Sequence, residues 1–283
     1  MIISIASGKG GTGKTSLALM LAAARSSVTL IDCDVEEPNC HLFLKPQWQS
    51  PEQEVSIMIP RLDPDQCNGC GACSDVCLFN AIAMAGGKGI LFGELCHGCG
   101  GCLLACKSKA ISEDKKPIGV ITTGISPLLP SVCLLSGRLN VGLPSAVPLI
   151  RALKQNLPDT TGDVLIDCPP GTSCSLVTAV KNSDFCLLVT EPNPFGRHDL
   201  ELTINLTGRL KLPAGVVINK CDEAGGDNNI EMLCRGHHLP VLGKIPHSLS
   251  FAEQYAAGTI PQEFRPVINN IWRQIELIRE AQP

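Results

Sequence analysis

Residues Gly8 to Thr15 read GKGGTGKT, and the reading of this stretch decides the fold. It satisfies the phosphate-loop pattern G-x-x-x-x-G-K-[ST]. Residues 1–6 before it are apolar with three isoleucines, and residues 16–24 after it, SLALMLAAA, are rich in the strong helix formers Ala and Leu. Strand, glycine loop and helix together form a nucleotide site. The glycines let backbone N–H groups converge on phosphate oxygens, and the helix N-terminus adds its partial positive charge. The expected nucleotide contacts are Gly8, Lys9, Gly10, Gly11, Thr12, Gly13, Lys14, Thr15 and Ser16. Lys14 is expected to reach the β and γ phosphates, and the Thr15 hydroxyl to bind Mg2+.

Lys9 narrows the reading. A second lysine directly after the first glycine, in K-G-G-T-G-K-T, resembles the deviant phosphate loop of the MinD/ParA/Mrp ATPases and the nitrogenase iron protein. In that family this lysine contacts the nucleotide of the opposite subunit. The resemblance therefore implies ATP and ADP as ligands and an ATP-sandwiched dimer, either a homodimer or a heterodimer with a related ATPase.

The chain has 283 residues, enough for about two domains. Its hydrophobic content of 44% and charged content of 18% are those of an ordinary globular protein. A formal net charge of −4 and few aromatics argue against a nucleic-acid surface, which needs clustered cations and stacking platforms. Sixteen cysteines in so long a chain point away from a disulfide scaffold and towards a reducing, cytoplasmic setting. Residues 16–24 mimic a signal h-region, but the glycine loop upstream makes them the helix of the nucleotide site. No apolar run approaches the roughly 18 residues of a spanning helix, so no stable membrane insertion is expected.

Residues 28–31 read as a second buried strand delivering Asp32 and Asp34 beside the phosphate loop, at the carboxyl edge where open α/β sheets bind ligands. DCDVEEPN resembles the family's first switch, which implies that Asp34 positions or activates the attacking water and that Asn39 assists. An alternating run at residues 55–59 reads as a strand ending at Pro60.

The composition then changes. Cys67, Cys70, Cys73 and Cys77 form C-x-x-C-x-x-C-x-x-x-C, and Cys96, Cys99, Cys102 and Cys106 repeat it 29 residues later. QCNGCGACSDVCLFNAI matches LCHGCGGCLLACKSKAI, so the segment is an internal duplication. It resembles a bacterial two-cluster ferredoxin. The resemblance implies one 4Fe-4S cluster on Cys67, Cys70, Cys73 and Cys106 and a second on Cys96, Cys99, Cys102 and Cys77. Zinc is the alternative guest, although it usually takes two C-x-x-C pairs rather than a triplet with a distant fourth ligand. The proline that typically follows the last cysteine is replaced by Leu78 and Lys107.

Beyond the duplication, residues 117–125 and 131–141 read as strands returning to the main sheet, and residues 145–156 as a helix stopping before Pro158. Residues 164–166 deliver Asp167 in VLIDCPPG, a Walker B arrangement holding Mg2+, with Pro-Pro-Gly resembling the second switch. Cys174 follows seven residues on, where the iron protein has a cluster ligand, but a packed thiol is the reading favoured here. Strands are expected at 185–190, 215–218 and 241–245. NKCD resembles the family's base contact, which implies Asn219 as adenine partner, with Asp222 and Pro246 nearby. Residues 266–280 carry a 3.6-period apolar stripe without basic excess, the pattern of a closing helix packed on the sheet.

The expected fold class is α/β, a doubly wound, mostly parallel P-loop NTPase sheet spanning residues 1–60 and 117–283. A small α+β, bacterial-type ferredoxin module occupies 61–116. The leading expectation is a Mg2+-dependent ATPase that couples nucleotide state to two 4Fe-4S clusters, as in ATP-gated electron transfer with a redox partner. The alternatives are metal-cofactor assembly or carriage, as in Mrp-type proteins, and MinD-like positioning with a redox sensor. Mrp-type carriers use a C-terminal C-x-x-C that is absent here, where Cys221 and Cys234 stand apart.

Overall fold

The computed structural model describes residues 1–157, 162–221 and 228–280. Pro158 and Asp222 lie outside the described residues.

In chain order, β1 (Ile2–Ala6) leads through the glycine loop to α1 (Lys14–Ala23), β2 (Val28–Asp32), α2 (Cys40–Leu44), β3 (Gln47–Trp48) and β4 (Gln53–Leu62). The cysteine segment holds α3 (Ala72–Asp75), β5 (Ile82–Ala85), β6 (Lys88–Leu91) and α4 (Gly101–Ala105). The chain returns through β7 (Ile111–Ile125), β8 (Val132–Leu139), α5 (Val147–Gln155), β9 (Asp163–Asp167), α6 (Cys174–Val180), β10 (Phe185–Thr190) and α7 (Pro194–Arg209). It ends with β11 (Ala214–Cys221), α8 (Asn228–Gly236), β12 (Val241–Pro246), α9 (Leu249–Ala256) and α10 (Arg265–Glu280).

Among the described residues the main sheet has ten strands in the order β12-β11-β10-β1-β9-β2-β8-β7-β3, with β4 paired to β7. Every pairing from β12 to β8 is parallel, and β7 pairs antiparallel with β8, β3 and β4. The parallel strands read as continuous apolar runs because both faces are covered. Alternate residues feed opposite cores: Leu188 and Val216 face α5, α6, α7 and α8, whereas Leu187 and Val217 face α1, α2 and α10. This is the doubly wound α/β sheet expected from the sequence.

The closing helix α10 buries Ile268, Ile271, Trp272 and Ile275 against this sheet. Trp272 Nε1 donates to the Leu21 carbonyl at 3.2 Å, and the Arg25 guanidinium lies 4.0 Å from the indole centroid. No described helix is long and apolar enough to cross a membrane.

Both strands that flank the cysteine segment run further than the sequence expectation, β7 beginning at Ile111 rather than at 117. β4 does not stop at Pro60 but continues to Leu62, with Pro60 opposite Glu113 and Leu62 opposite Ile111. β4 pairs only with β7, so Pro60 need donate nothing on its free side, which is where edge strands tolerate proline. Pro117 lies opposite Ser56, at a register irregularity between Val55 and Ser56. A long two-stranded ribbon therefore runs across both edges assigned to the insert, 61 and 116. At its far end Cys73, Ile82, Cys102 and Ile111 form a small core of their own, packed by Leu62, Met84 and Leu91.

Candidate nucleotide site and cysteine centres

The glycine loop leaves β1 and enters α1 at Lys14. Gly13 has φ +97°, and a Cβ there would lie 2.2 Å from Asn219 Nδ2, so only glycine fits. Gly8 packs against α7, where a Cβ would lie 2.5 Å from the Asp199 carbonyl. Gly10 and Gly11 have open space at their Cβ positions and face a cavity of about 470 Å³. Lys14, Thr15 and Ser16 line the same cavity, together with Asp34 and Asn39 from the first switch and Asn219, Lys220 and Pro246 from β11 and β12. His247, Phe251 and Tyr255, before and along α9, close its far wall. Its volume falls within the range of small-molecule sites.

Three carboxylates neighbour one another here: Asp34 lines the cavity, whereas Asp32 and Asp167 are buried and are not among its lining residues. The Thr15 hydroxyl donates to Asp167 Oδ2 at 2.6 Å, while Asp167 Oδ1 is buried with no partner. Asp32 Oδ2 accepts from the backbone N–H groups of Asn39 and Cys40, each at 3.0 Å, and Oδ1 accepts from Asp34 N at 3.3 Å. Asp32 thus fixes the backbone of residues 34–40 through these three hydrogen bonds. Burial raises its carboxyl, and the neighbouring Asp167 raises it further. Burial also raises Asp167, against the pull of the Thr15 hydrogen bond and the Lys14 charge. Asp34 is pushed up to about 6, by burial and then by Asp167, with Lys14 acting in the opposite direction. A buried carboxyl group with one unpartnered oxygen and a hydroxyl beside it, raised by burial for want of a full counter-charge, fits a divalent cation carried in by a nucleotide.

Lys9 is held within its own chain. Its Nζ donates to Glu191 Oε2 at 2.8 Å; Glu191 Oε1 accepts from Lys220 Nζ at 2.6 Å, and Lys220 also donates to the Gly11 carbonyl at 2.9 Å. Burial works to raise the Glu191 carboxyl, but donation from Lys220 and Lys9 outweighs it and holds the group at about 2. The Asn219 amide donates to the Thr12 carbonyl at 2.7 Å, so this residue, expected to contact the base, braces the loop here. Glu191 escaped the sequence reading because a single carboxylate after a strand carries no pattern. Lys220 lay inside the quoted NKCD without a role.

Cys40 is a further residue that the sequence reading passed over. Its thiol donates to Asp167 Oδ2 at 3.7 Å, and Asp32, Cys40 and Asp167 form the one group of three ligand atoms, among the described residues, within 4.8 Å of one another. Cys174 is exposed at the start of α6. Cys221 and Cys234 are buried in the core beside α8.

In the cysteine segment, Cys77, Cys96, Cys99 and Cys102 line one cavity with Pro60, Phe79 and His97. The electrostatic neighbours of Cys73 include Cys67 and Cys106. Cys77 therefore lies with the second triplet, and Cys106 with Cys67 and Cys73 of the first. Each triplet loop turns on two left-handed glycines, Gly69 and Gly71 in the first and Gly98 and Gly100 in the second. No three of these thiols lie within 4.8 Å of one another, whereas a Zn–S bond of about 2.3 Å packs four sulfurs more tightly than that.

Residues 3–261 match the CobQ/CobB/MinD/ParA nucleotide-binding domain, and the chain belongs to this family. An uncharacterised protein of Methanocaldococcus jannaschii is 30% identical over 262 residues, 91% of this chain and 90% of the relative. The iron-sulfur cluster carrier protein of Escherichia coli is 25% identical over 293 residues, covering 97% of this chain and 64% of the carrier. Among solved structures, the septum site-determining protein MinD of Pyrococcus horikoshii, in complex with Mg-ADP, superposes with a TM-score of 0.61 at 18% identity, covering 100% of this chain and 99% of that one. That likeness establishes the fold.

Proposed function

We propose that the chain is a Mg2+-dependent ATPase of iron–sulfur cluster assembly or transfer, carrying two 4Fe-4S clusters on a ferredoxin-like insert. It works as a dimer with itself or a related ATPase. The observation that carries this reading is the pair of interleaved cysteine quartets at the end of a ribbon whose root adjoins the first switch. The similarity to a carrier protein favours the assembly alternative over ATP-gated electron transfer, the leading expectation from sequence. With Cys221 and Cys234 buried in the core of the main sheet, the insert is the place for clusters to be held.

Thr15 and Asp167 would hold Mg2+, which supplies charge neutralisation on the phosphates. Lys14 binds the β and γ phosphates, and the loop N–H groups orient them for in-line attack. Asp34, at the cavity wall, holds and orients the attacking water and takes up its proton. Lys9 exchanges Glu191 for the partner subunit's nucleotide when the dimer closes, adding positive charge where the transition state needs it.

The switch and the ribbon are joined by few residues. α2 follows Asn39 directly, the Ser126 hydroxyl donates to the Leu44 carbonyl at 2.6 Å, and Gln47 pairs with Ile125 at the root of β7. A shift of the first switch on ATP binding thus passes into the ribbon.

Iron and acid-labile sulfide analysis of anaerobically prepared protein, with electron paramagnetic resonance, tests the cluster assignment. The expected result is about eight irons and eight sulfides per chain, the content of two 4Fe-4S centres. Stoichiometric zinc in their place contradicts it.

A further inference from the structure

The duplication supplies an internal control, because each position around one quartet has a counterpart 29 residues away around the other. The residue directly after the first cysteine is Asn68 in the first triplet and His97 in the second. The residue two places after the completing cysteine is Ser108 for the first quartet, after Cys106, and Phe79 for the second, after Cys77. The two pairs behave differently. Phe79 and His97 stack at 3.8 Å between centroids, with 12° between planes, over the cavity of the second quartet. Asn68 and Ser108 cannot stack. The Asn68 side chain accepts from Cys70 N at 3.3 Å, and the Ser108 hydroxyl lies 3.5 Å from Cys106 Sγ.

The surroundings differ in the same sense. The second triplet loop packs on the ribbon, where a Cβ on Gly98 would lie 2.7 Å from the Met58 carbonyl and one on Gly100 3.3 Å from Met58 Cε. In the first loop the counterpart glycines do not meet the ribbon: a Cβ on Gly69 would run into the Gly87 carbonyl of the hairpin turn, and one on Gly71 would have nothing within 4 Å. Cys96 and Cys102 are both buried in the second quartet, and Cys73 alone in the first. An aromatic cover and a packed loop exclude water and competing ligands, whereas polar, hydrogen-bonding neighbours admit them.

We infer that the two quartets have different jobs: Cys67, Cys70, Cys73 and Cys106 form the release site from which a 4Fe-4S cluster is handed on, and Cys77, Cys96, Cys99 and Cys102 retain theirs. This rests on the two-cluster reading of the insert. The recipient is a protein presenting four cysteine thiols. In the transfer, four iron–thiolate bonds to the release site break and four form to the recipient. The four protons leaving the recipient's thiols are taken up by the four cysteines left behind, and the cluster moves with its charge unchanged, so no electrons are exchanged.

The test uses the full chain, anaerobically loaded with eight irons, and the ferrous chelator bathophenanthroline disulfonate, with ascorbate present to reduce ferric iron as it is released. Release in two equal phases is expected, roughly tenfold or more apart in rate, which corresponds to a barrier difference of about 1.4 kcal/mol or more. Cys70→Ser should abolish the fast phase and Cys99→Ser the slow one. Phe79→Ser should bring the slow phase close to the fast rate, and if that variant does not load fully, His97→Asn should do the same. An apo-acceptor with four free thiols should take the cluster lost in the fast phase. Release of all eight irons at one rate, or loss of the fast phase in Cys99→Ser rather than Cys70→Ser, overturns the inference. A wild-type chain that loads zinc, or fewer than eight irons, overturns the two-cluster reading itself and is recognised before any release is measured.

Discussion

Asp32, Asp34 and Asp167 show how burial stores the demand for a cation. Unfolded, all three titrate near 3.9. Folded, Asp34 stands at about 6, and Asp32 and Asp167 are also raised. Between pH 4 and the folded values the native chain holds protons that the unfolded chain has lost. These groups therefore stabilise the nucleotide-free fold most below pH 4, and that contribution is lost as pH rises towards and beyond 6. Thermal denaturation without nucleotide should accordingly show a melting temperature pulled down between pH 5 and 8, and Mg2+ with ADP should restore most of the loss. At the same scale, Lys14→Ala should weaken nucleotide binding on the order of 100-fold, as loss of strong charge-assisted hydrogen bonds does. Lys9→Ala should leave binding nearly intact yet lower turnover by roughly 100-fold and block ATP-dependent dimer formation, because its contribution is to the transition state. Titration calorimetry, steady-state hydrolysis and sedimentation separate the two; equal, mild effects with unchanged dimerisation would contradict the shared-site reading. The loop residues could be read from the sequence because the motif is local. Glu191 and Cys40 could not, because their partners Lys9 and Asp167 lie 182 and 127 residues away.

At the scale of elements, periodicity succeeded wherever one environment extends along the whole element. The stripe in α10 follows from a helix with one buried face, and the apolar runs of β1, β9 and β10 from strands buried on both. The sequence understates the ribbon because Pro60 resembles a stop signal, and a proline is compatible with a strand only when its other side is unpaired, which is a property of the sheet and not of the segment. The packing of α10 makes a contrast that can be measured. Trp272→Ala should cost about 3–5 kcal/mol in chemical denaturation through lost burial. Leu277→Ala, on the exposed face of the same helix, should change stability by less than about 0.5 kcal/mol. Equal costs would mean that α10 is not docked by the face described.

In the whole molecule, the phosphate loop, the first switch, the ribbon and the cysteine quartets follow one another along a short path, and the account stands on their being coupled. The most direct measurement is the initial rate at which the anaerobically loaded chain passes cluster to an apo-acceptor bearing four thiols, compared among no nucleotide, Mg-ADP and Mg-ATP. A rate that depends on nucleotide state is expected, with Mg-ATP and Mg-ADP differing by roughly tenfold, a barrier difference of about 1.4 kcal/mol, and a Lys14→Ala chain insensitive to both. A rate identical in all three conditions, or clusters kept through repeated redox cycles with none passed on, would contradict it.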